Sequence, residues 1–449
     1  MSYTGSGAGK GAGDKGLRFS LIQTLRLAWA DEDLRGRLQF ILLILAVYAL
    51  GVNVPVPVPG ISPEMIEDLV KNNPVFQIIN TIGGGAFKRI SIFALGLNPY
   101  IVASIILQVM TYGHPKWKEE MKEGGEYARR QQNRRTRILT IGLCIFQGMG
   151  LLTAMGGAVA GVLPIHRFMI ILFWTAGSMM LLWLGEQVSE RGVGNGISIL
   201  IFTGIIISLP GILQQIGAGV SDGLIEWWRI VLLALIFFAT TWFVVLFTIA
   251  QRRIPIQHMR RNFGTQSVGG QVSYLPIAVA MAGVIPIIFA ITLIYMPQQF
   301  QMMFPPDSTM HNILFQISDL LSPDFTRPKG YIGALIYMAM IFAFTYFWTA
   351  LQYNVEDIAD NLKKGGSYIQ GIRPGRQTRD FLNGVVSRIT FIGASFLAIA
   401  AMTQFILPLV VRLQGIGLIA GTSLLIMVSV ALETMRQLEA NLITKQYEG

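Results

Sequence analysis

Long apolar runs separated by short polar segments set the pattern of this chain. They fall at about 38–58, 90–112, 138–163, 168–185, 197–217, 230–250, 275–296, 331–352, 389–411 and 413–432. Each is long enough to cross a hydrocarbon core of about 30 Å as a helix, so the pattern predicts ten spans. One further apolar piece, Val75–Phe87, has 13 residues and ends in Gly83-Gly84-Gly85. Rising 1.5 Å per residue it reaches about 20 Å, short of a crossing. The next run is interrupted by Gly96-Leu97-Asn98-Pro99. A short piece beside an interrupted span predicts non-helical backbone at membrane depth. Such backbone is tolerated only where protein buries it or it lines a cavity.

Composition agrees with a polytopic membrane protein. Of 449 residues, 52% are hydrophobic and 13% charged, against about 25% charged in soluble proteins. The N-terminal GSGAGKGAGDKG lacks the spacing and the Ser or Thr of a phosphate loop and follows no strand, so it reads as a flexible tail. It has no apolar core and is no cleavable signal. Cys144 stands alone inside an apolar run, as packing filler, and the four histidines are scattered singly. That leaves no disulfide framework and no metal-ligand spacing.

The net charge of +10 is distributed by side rather than by domain. If the ten runs cross in alternation, 27 of the 35 Lys and Arg lie with the two termini and 8 lie opposite. Basic loops stay in the cytoplasm, so both termini are expected there. The N-tail and the 113–137 loop are both strongly basic, and an even number of crossings must separate them. Spans one and two supply that number. The 75–87 piece therefore enters from outside and returns. Ten spans divide five and five, and an odd number per half gives two halves of opposite orientation, 38–218 and 219–449, after an N-tail at 1–37.

None of the ten runs contains Asp, Glu, Lys, Arg or His. Ion-coupled transport and intramembrane hydrolysis need titratable or nucleophilic groups there, which disfavours both. Polar residues such as Ser104, Gln108, Gln147, Thr203, Thr292, Thr345 and Gln404 suit helix packing. Three basic loops, 113–137, 251–274 and 353–388, read as docking surfaces for an acidic partner or as contacts to anionic lipid head groups.

Several long motifs then occur in order: VPVPGI, GGGAFKRISIFALGLNPYI, LGEQVSERGVGNGISI, QRRIPI, LPIAVAMAGVIP, ADNLKKGGSYIQGIRPGRQT and, near the end, AGTSLLI. On these motifs the chain resembles the SecY/SEC61-alpha family of protein-conducting channel subunits, over essentially everything after the N-tail. The resemblance implies an all-α polytopic fold, ten helices in two inverted five-helix halves around a central pore, with a re-entrant plug. By motif the plug falls on about 76–87, with Phe76, Ile78, Ile79, Ile82, Gly83, Gly84 and Gly85. An apolar pore ring is implied at Leu97, Ile101, Ile197, Ile201, Ile288 and Ile426. A lateral gate between spans two and three and spans seven and eight is implied near Gln108, Asn195 and Thr292.

The family resemblance further implies docking of a SecA motor ATPase or a translating ribosome on the basic loops, through Arg252, Arg253, Arg260, Arg261, Lys363, Lys364 and above all Arg373. Small membrane subunits like SecE and SecG and preproteins bearing signal peptides are the other implied partners. No catalytic residue, metal or cofactor is implied. The expected location is the bacterial cytoplasmic (inner) membrane, or a thylakoid membrane. The chain departs from the family pattern at Ala278 and Ala280, where Lys and Asn are common, at Thr265 and Gln266, and at Asn98. A secondary transporter of the same five-plus-five layout is the alternative function, and a membrane scaffold a third.

Overall fold

The computed structural model describes residues 21–448 apart from 60–65, 67, 69, 71–75, 77–79, 82, 160, 222, 224–225, 259–260, 264–265, 269–271, 306, 326 and 412–420. Helices dominate. A short helix α1 (Leu21–Ala30) leads into α2 (Glu32–Val52), whose N-terminus is capped by Asp31. The Asp31 carboxylate accepts from the backbone N–H of Asp33 and Leu34, at 3.1 and 3.0 Å, two donors that the first turn otherwise leaves unpaired. Then follow α3 (Asn98–Gly113), α4 (Pro115–Glu123), α5 (Gly125–Ala154), α6 (Pro164–Arg191), α7 (Gly196–Ser221) and α8 (Trp227–Ile249). Five strands interrupt the second half: β1 (Gln251–His258), β2 (Arg261–Phe263), β3 (Gln266–Val268), β4 (Val272–Ala278) and, later, β5 (Ser367–Ile369). The remaining helices are α9 (Ile285–Gln301), α10 (Thr309–Leu321), α11 (Gly330–Gln352), α12 (Val355–Lys364), α13 (Arg376–Val411) and α14 (Thr422–Glu448).

Each of the ten apolar runs carries one of the helices α2, α3, α5 to α9, α11, α13 and α14, and the chain is a multi-pass membrane protein. The bounds differ in an informative way. α3 and α9 have 16 and 17 residues, about 24–26 Å, because the first part of each run is not helical. α5 and α13 begin far out in basic loops, and α13 with 36 residues is about 54 Å long. The run predicted at 275–296 starts as strand β4, and its helix begins only at Ile285.

Residues 83–97 form turns packed inside the bundle. Their backbone polar groups are satisfied there, as burial requires. Val56 N–H donates to Ile90 O at 2.9 Å and Ile92 N–H to Val54 O at 3.1 Å, pairing this segment with the chain leaving α2. The Ser91 hydroxyl donates to Gly51 O and accepts from Phe93 N–H. Two glycines make the seat. A Cβ on Gly51 would lie 2.0 Å from the Phe93 ring, and one on Gly177 of α6 would lie 1.9 Å from Ile92 O.

The loops of the second half form a sheet in the order β4-β1-β5, all antiparallel, with Gln251 opposite Ala278 and Ile256 opposite Ile369. Its inward residues Ile254, Ile277 and Ile369 join Val355, Leu382, Val385 and Ile389 in a separate small core. The sheet marks one side of the molecule as the loop side. Two chain segments that the sequence separates by about a hundred residues thus become one body there.

Candidate functional site

A repeated local pattern sets the centre of the bundle. α3 begins after Gly96 (φ 58), with Leu97 at its N-cap (φ −91, ψ 0) and Pro99 in its first turn. α9 begins after Gly283 (φ 60), with Val284 at its N-cap (φ −95, ψ −8) and Pro286 in its first turn. The glycines take a left-handed conformation that side chains disfavour, and proline suits a first turn, where its missing N–H has no partner to lose. Five residues after each glycine comes an isoleucine, Ile101 or Ile288. The starts of α7 and α14 share a second pattern, Gly196-Ile197-Ser198-Ile199-Leu200-Ile201 and Gly421-Thr422-Ser423-Leu424-Leu425-Ile426, again with isoleucine five residues on. Among the ten spans these helices are the second and seventh and the fifth and tenth. That is the correspondence a five-span repeat requires.

All six residues predicted for the ring fall in one apolar cluster. Leu97, Ile101, Ile201 and Ile426 are buried in it, and Ile197 and Ile288 pack against it half-buried. On the loop side of the cluster lies a cavity of about 590 Å³. Ile101, Ile197, Ile201 and Ile288 form part of its lining, together with Tyr100, Gln108, Asn195, Glu433 and Arg436. On the opposite side Gly84 lies against α7, three residues beyond Ile201, where its Cβ position is 3.4 Å from the Cα of Gly204. Gly83 touches Gly96, and Phe76 stacks on Phe87 with ring centres 5.2 Å apart, both buried. Asn80 ties the segment together: its carbonyl accepts from Gly85 N–H at 2.7 Å and its side chain from Lys88 N–H at 2.9 Å. Of the predicted plug, Ile78, Ile79 and Ile82 lie outside the described residues. The arrangement is a vestibule, an aliphatic constriction and a packed segment beyond it.

Two aromatic contacts join the halves at one seam. Phe146 of α5 meets Phe300 of α9 edge-on at 5.0 Å, and Tyr112 of α3 meets Phe347 of α11 at 5.7 Å. Between them lies a narrow apolar cleft lined by Asn98, Val102, Phe146, Gln147 and Thr292. Thr292 is therefore at the seam, its hydroxyl donating to Ile288 O at 2.6 Å. Gln108 lines the vestibule, and its amide donates to Ser104 at 3.0 Å. Asn195 sits apart from the seam. Its side chain accepts from the N–H groups of Ile197 and Ser198 and so caps the start of α7, while it also lines the vestibule.

The basic side chains of the loop side are displayed on the sheet and its continuation. Arg252 and Arg253 are exposed on β1, and Lys363 and Lys364 are exposed in the last turn of α12. Arg373 is exposed in the turn between β5 and α13, and its carbonyl accepts from the Thr378 hydroxyl at 2.9 Å. Arg379 pairs with Glu356 at 2.5 Å, fastening α13 to α12 beside that turn. Arg261 is in β2, and Arg260 lies outside the described residues. Sequence reading found these charges but not the strands that assemble them. The signal was present in β1, where exposed Arg253, buried Ile254, exposed Pro255 and buried Ile256 alternate.

Comparison with known proteins gives consistent matches. A family model described as SecY matches residues 91–435. The protein translocase subunit SecY of Staphylococcus aureus is 37% identical over 439 residues, covering 96% of this chain and 99% of that one. A solved structure described as "The structure of a protein conducting channel" aligns with TM-score 0.66 at 21% identity, over 90% of this chain and 92% of the other. Another, "Sec61 in the Canine ribosome-channel complex from the endoplasmic reticulum", aligns with TM-score 0.63 at 19% identity over the same shares.

Proposed function

The chain belongs to the SecY family, and from that premise we propose that it is the pore subunit of a protein translocase. It conducts unfolded polypeptides across the membrane through the constriction and releases apolar segments sideways into lipid. The observation that carries this reading is the position of the six aliphatic side chains, one cluster between an open vestibule and a packed glycine-rich segment. Aliphatic side chains yield to a passing chain and close behind it, and an ion can pass such a dry constriction only by shedding water. Nothing in that task needs a titratable group or a catalytic residue, so the subunit does no chemistry itself.

In this reading Phe76–Phe87 is the plug, Leu97, Ile101, Ile197, Ile201, Ile288 and Ile426 are the ring, and the seam through Thr292 is the lateral gate, with Gln108 and Asn195 on its vestibule side. The boundary between the two halves falls near residue 219. The loop side faces the cytoplasm of a bacterial cell, as its basic charge favours. There Arg252, Arg253, Lys363, Lys364 and Arg373 meet a SecA motor or a ribosome, and neighbouring basic loops meet anionic lipid. A SecE-like helix packs on α8. That helix is almost unburied, and Trp227, Val231, Leu235, Phe238, Trp242 and Leu246 form one exposed stripe at spacings of three and four residues. A SecG-like subunit completes the assembly.

The test is reconstitution of the purified chain and its small subunits in vesicles with SecA, ATP and a secretory precursor. The expected result is ATP-dependent protection of the precursor from added protease. No protection, together with uptake of a small solute, would support the transporter reading instead.

A further inference from the structure

We propose that Glu433 is a binding site in the vestibule wall for the basic flank of a polypeptide whose apolar segment occupies the ring or the seam. The assignment rests on the channel reading. Glu433 lies seven residues after Ile426 on α14. Two helical turns bring it onto the same face, about 10 Å further toward the loop side. Both line the path, Ile426 within the ring cluster and Glu433 on the vestibule wall.

Glu433 and Arg436 carry the only full charges among the described residues of that wall. They are not equivalent. The Arg436 guanidinium donates to Thr248 O at 3.1 Å, in the last turn of α8, where the carbonyl end of a helix favours a cation. Glu433 is exposed, and among the described residues no donor comes within hydrogen-bond or ion-pair distance of its carboxylate. A cation entering the vestibule therefore meets one available full negative charge, set among apolar and neutral polar groups that screen it less than bulk water does. The corresponding place in the first half, seven residues after Ile201, is Ser208, whose hydroxyl donates to Ile205 O at 2.7 Å. Beyond the ring, on the plug side, the repeat thus places a neutral residue.

The spacing defines the ligand. A Lys or Arg about three residues from the apolar segment in extended chain, or about seven in a helix, spans the distance from ring to carboxylate. Holding that flank in the vestibule while the apolar part moves to the seam keeps the basic end on the loop side. A flank of Asp or Glu is repelled instead.

The experiment uses the reconstituted complex and reporters with one apolar segment flanked by a run of either Lys or Glu. Protease protection reads which fraction keeps its flank on the motor side. The unaltered protein is expected to favour the Lys flank. Glu433→Gln lowers that preference about two- to fivefold, the range an exposed ion pair supplies, and Glu433→Lys moves it toward the Glu flank. Equal preference in all three proteins, or equal loss with both reporters, would overturn the assignment. Failure of every reporter in the unaltered protein would overturn the channel reading and this inference with it.

Discussion

Arg373→Glu is expected to lower SecA-driven translocation by at least about tenfold while leaving the protein inserted and folded. A charge reversal at the centre of a docking surface commonly costs 2 kcal/mol or more, and about 1.4 kcal/mol is already tenfold. The turn that presents Arg373 does not depend on its side chain. It is held by the Thr378 hydroxyl on the Arg373 carbonyl, by Ile372 N–H on Ile369 O at 3.0 Å, and by the neighbouring Arg379–Glu356 pair. The guanidinium itself is exposed. ATP-dependent protection of a precursor measures the effect, and vesicle flotation of the variant checks insertion. Translocation at the unaltered rate would remove Arg373 from the docking surface.

Cross-linking the seam shut is expected to have the second large effect. Cysteines replacing Phe146 and Phe300, bridged by a short cleavable bis-maleimide, should cut the release of an apolar segment into lipid by at least about tenfold. Cleavage of the bridge should restore it. The energetics decide this. Each aromatic contact across the seam is worth about 0.5–1.5 kcal/mol, and helices in lipid gain little from hydrophobic burial against each other. A 20-residue apolar segment gains about 6–12 kcal/mol on entering the bilayer. The native seam is therefore weak enough for cargo to open, and a covalent bridge is not. Cys144 is fully buried on α5, so the native thiol is shielded from the reagent. Unchanged release across the bridged seam would place the exit elsewhere.

Much of this was legible in the chain because lipid imposes strong rules. Charge parity removed one crossing at 75–87, and Gly96–Pro99 announced the break that the helix start at Asn98 realises. Motif matching named six aliphatic residues that pack together. What escaped was structure whose signal is shorter than a span. The residues of β4 are apolar and run straight into Val279–Val284, so Val272–Ala278 read as part of a helix until its pairing with β1 was seen. Glycine-to-isoleucine spacing was equally hidden. Gly96 to Ile101 and Gly283 to Ile288 match in offset but share few residues, and their equivalence emerges from the common backbone geometry at the two helix starts. Asn195 shows the reverse error. Its family position pointed to the gate, whereas its side chain closes the first turn of α7.

Passage of polypeptide through the ring is the central claim, and site-specific cross-linking of an arrested chain tests it most directly. A photoreactive residue at Ile201, inside the aliphatic cluster, is compared with one at Leu235, on the lipid-facing stripe of α8. With a precursor stalled in mid-passage by a folded domain, the account predicts adducts from Ile201 and none from Leu235. Adducts from Leu235 with none from Ile201 would contradict it.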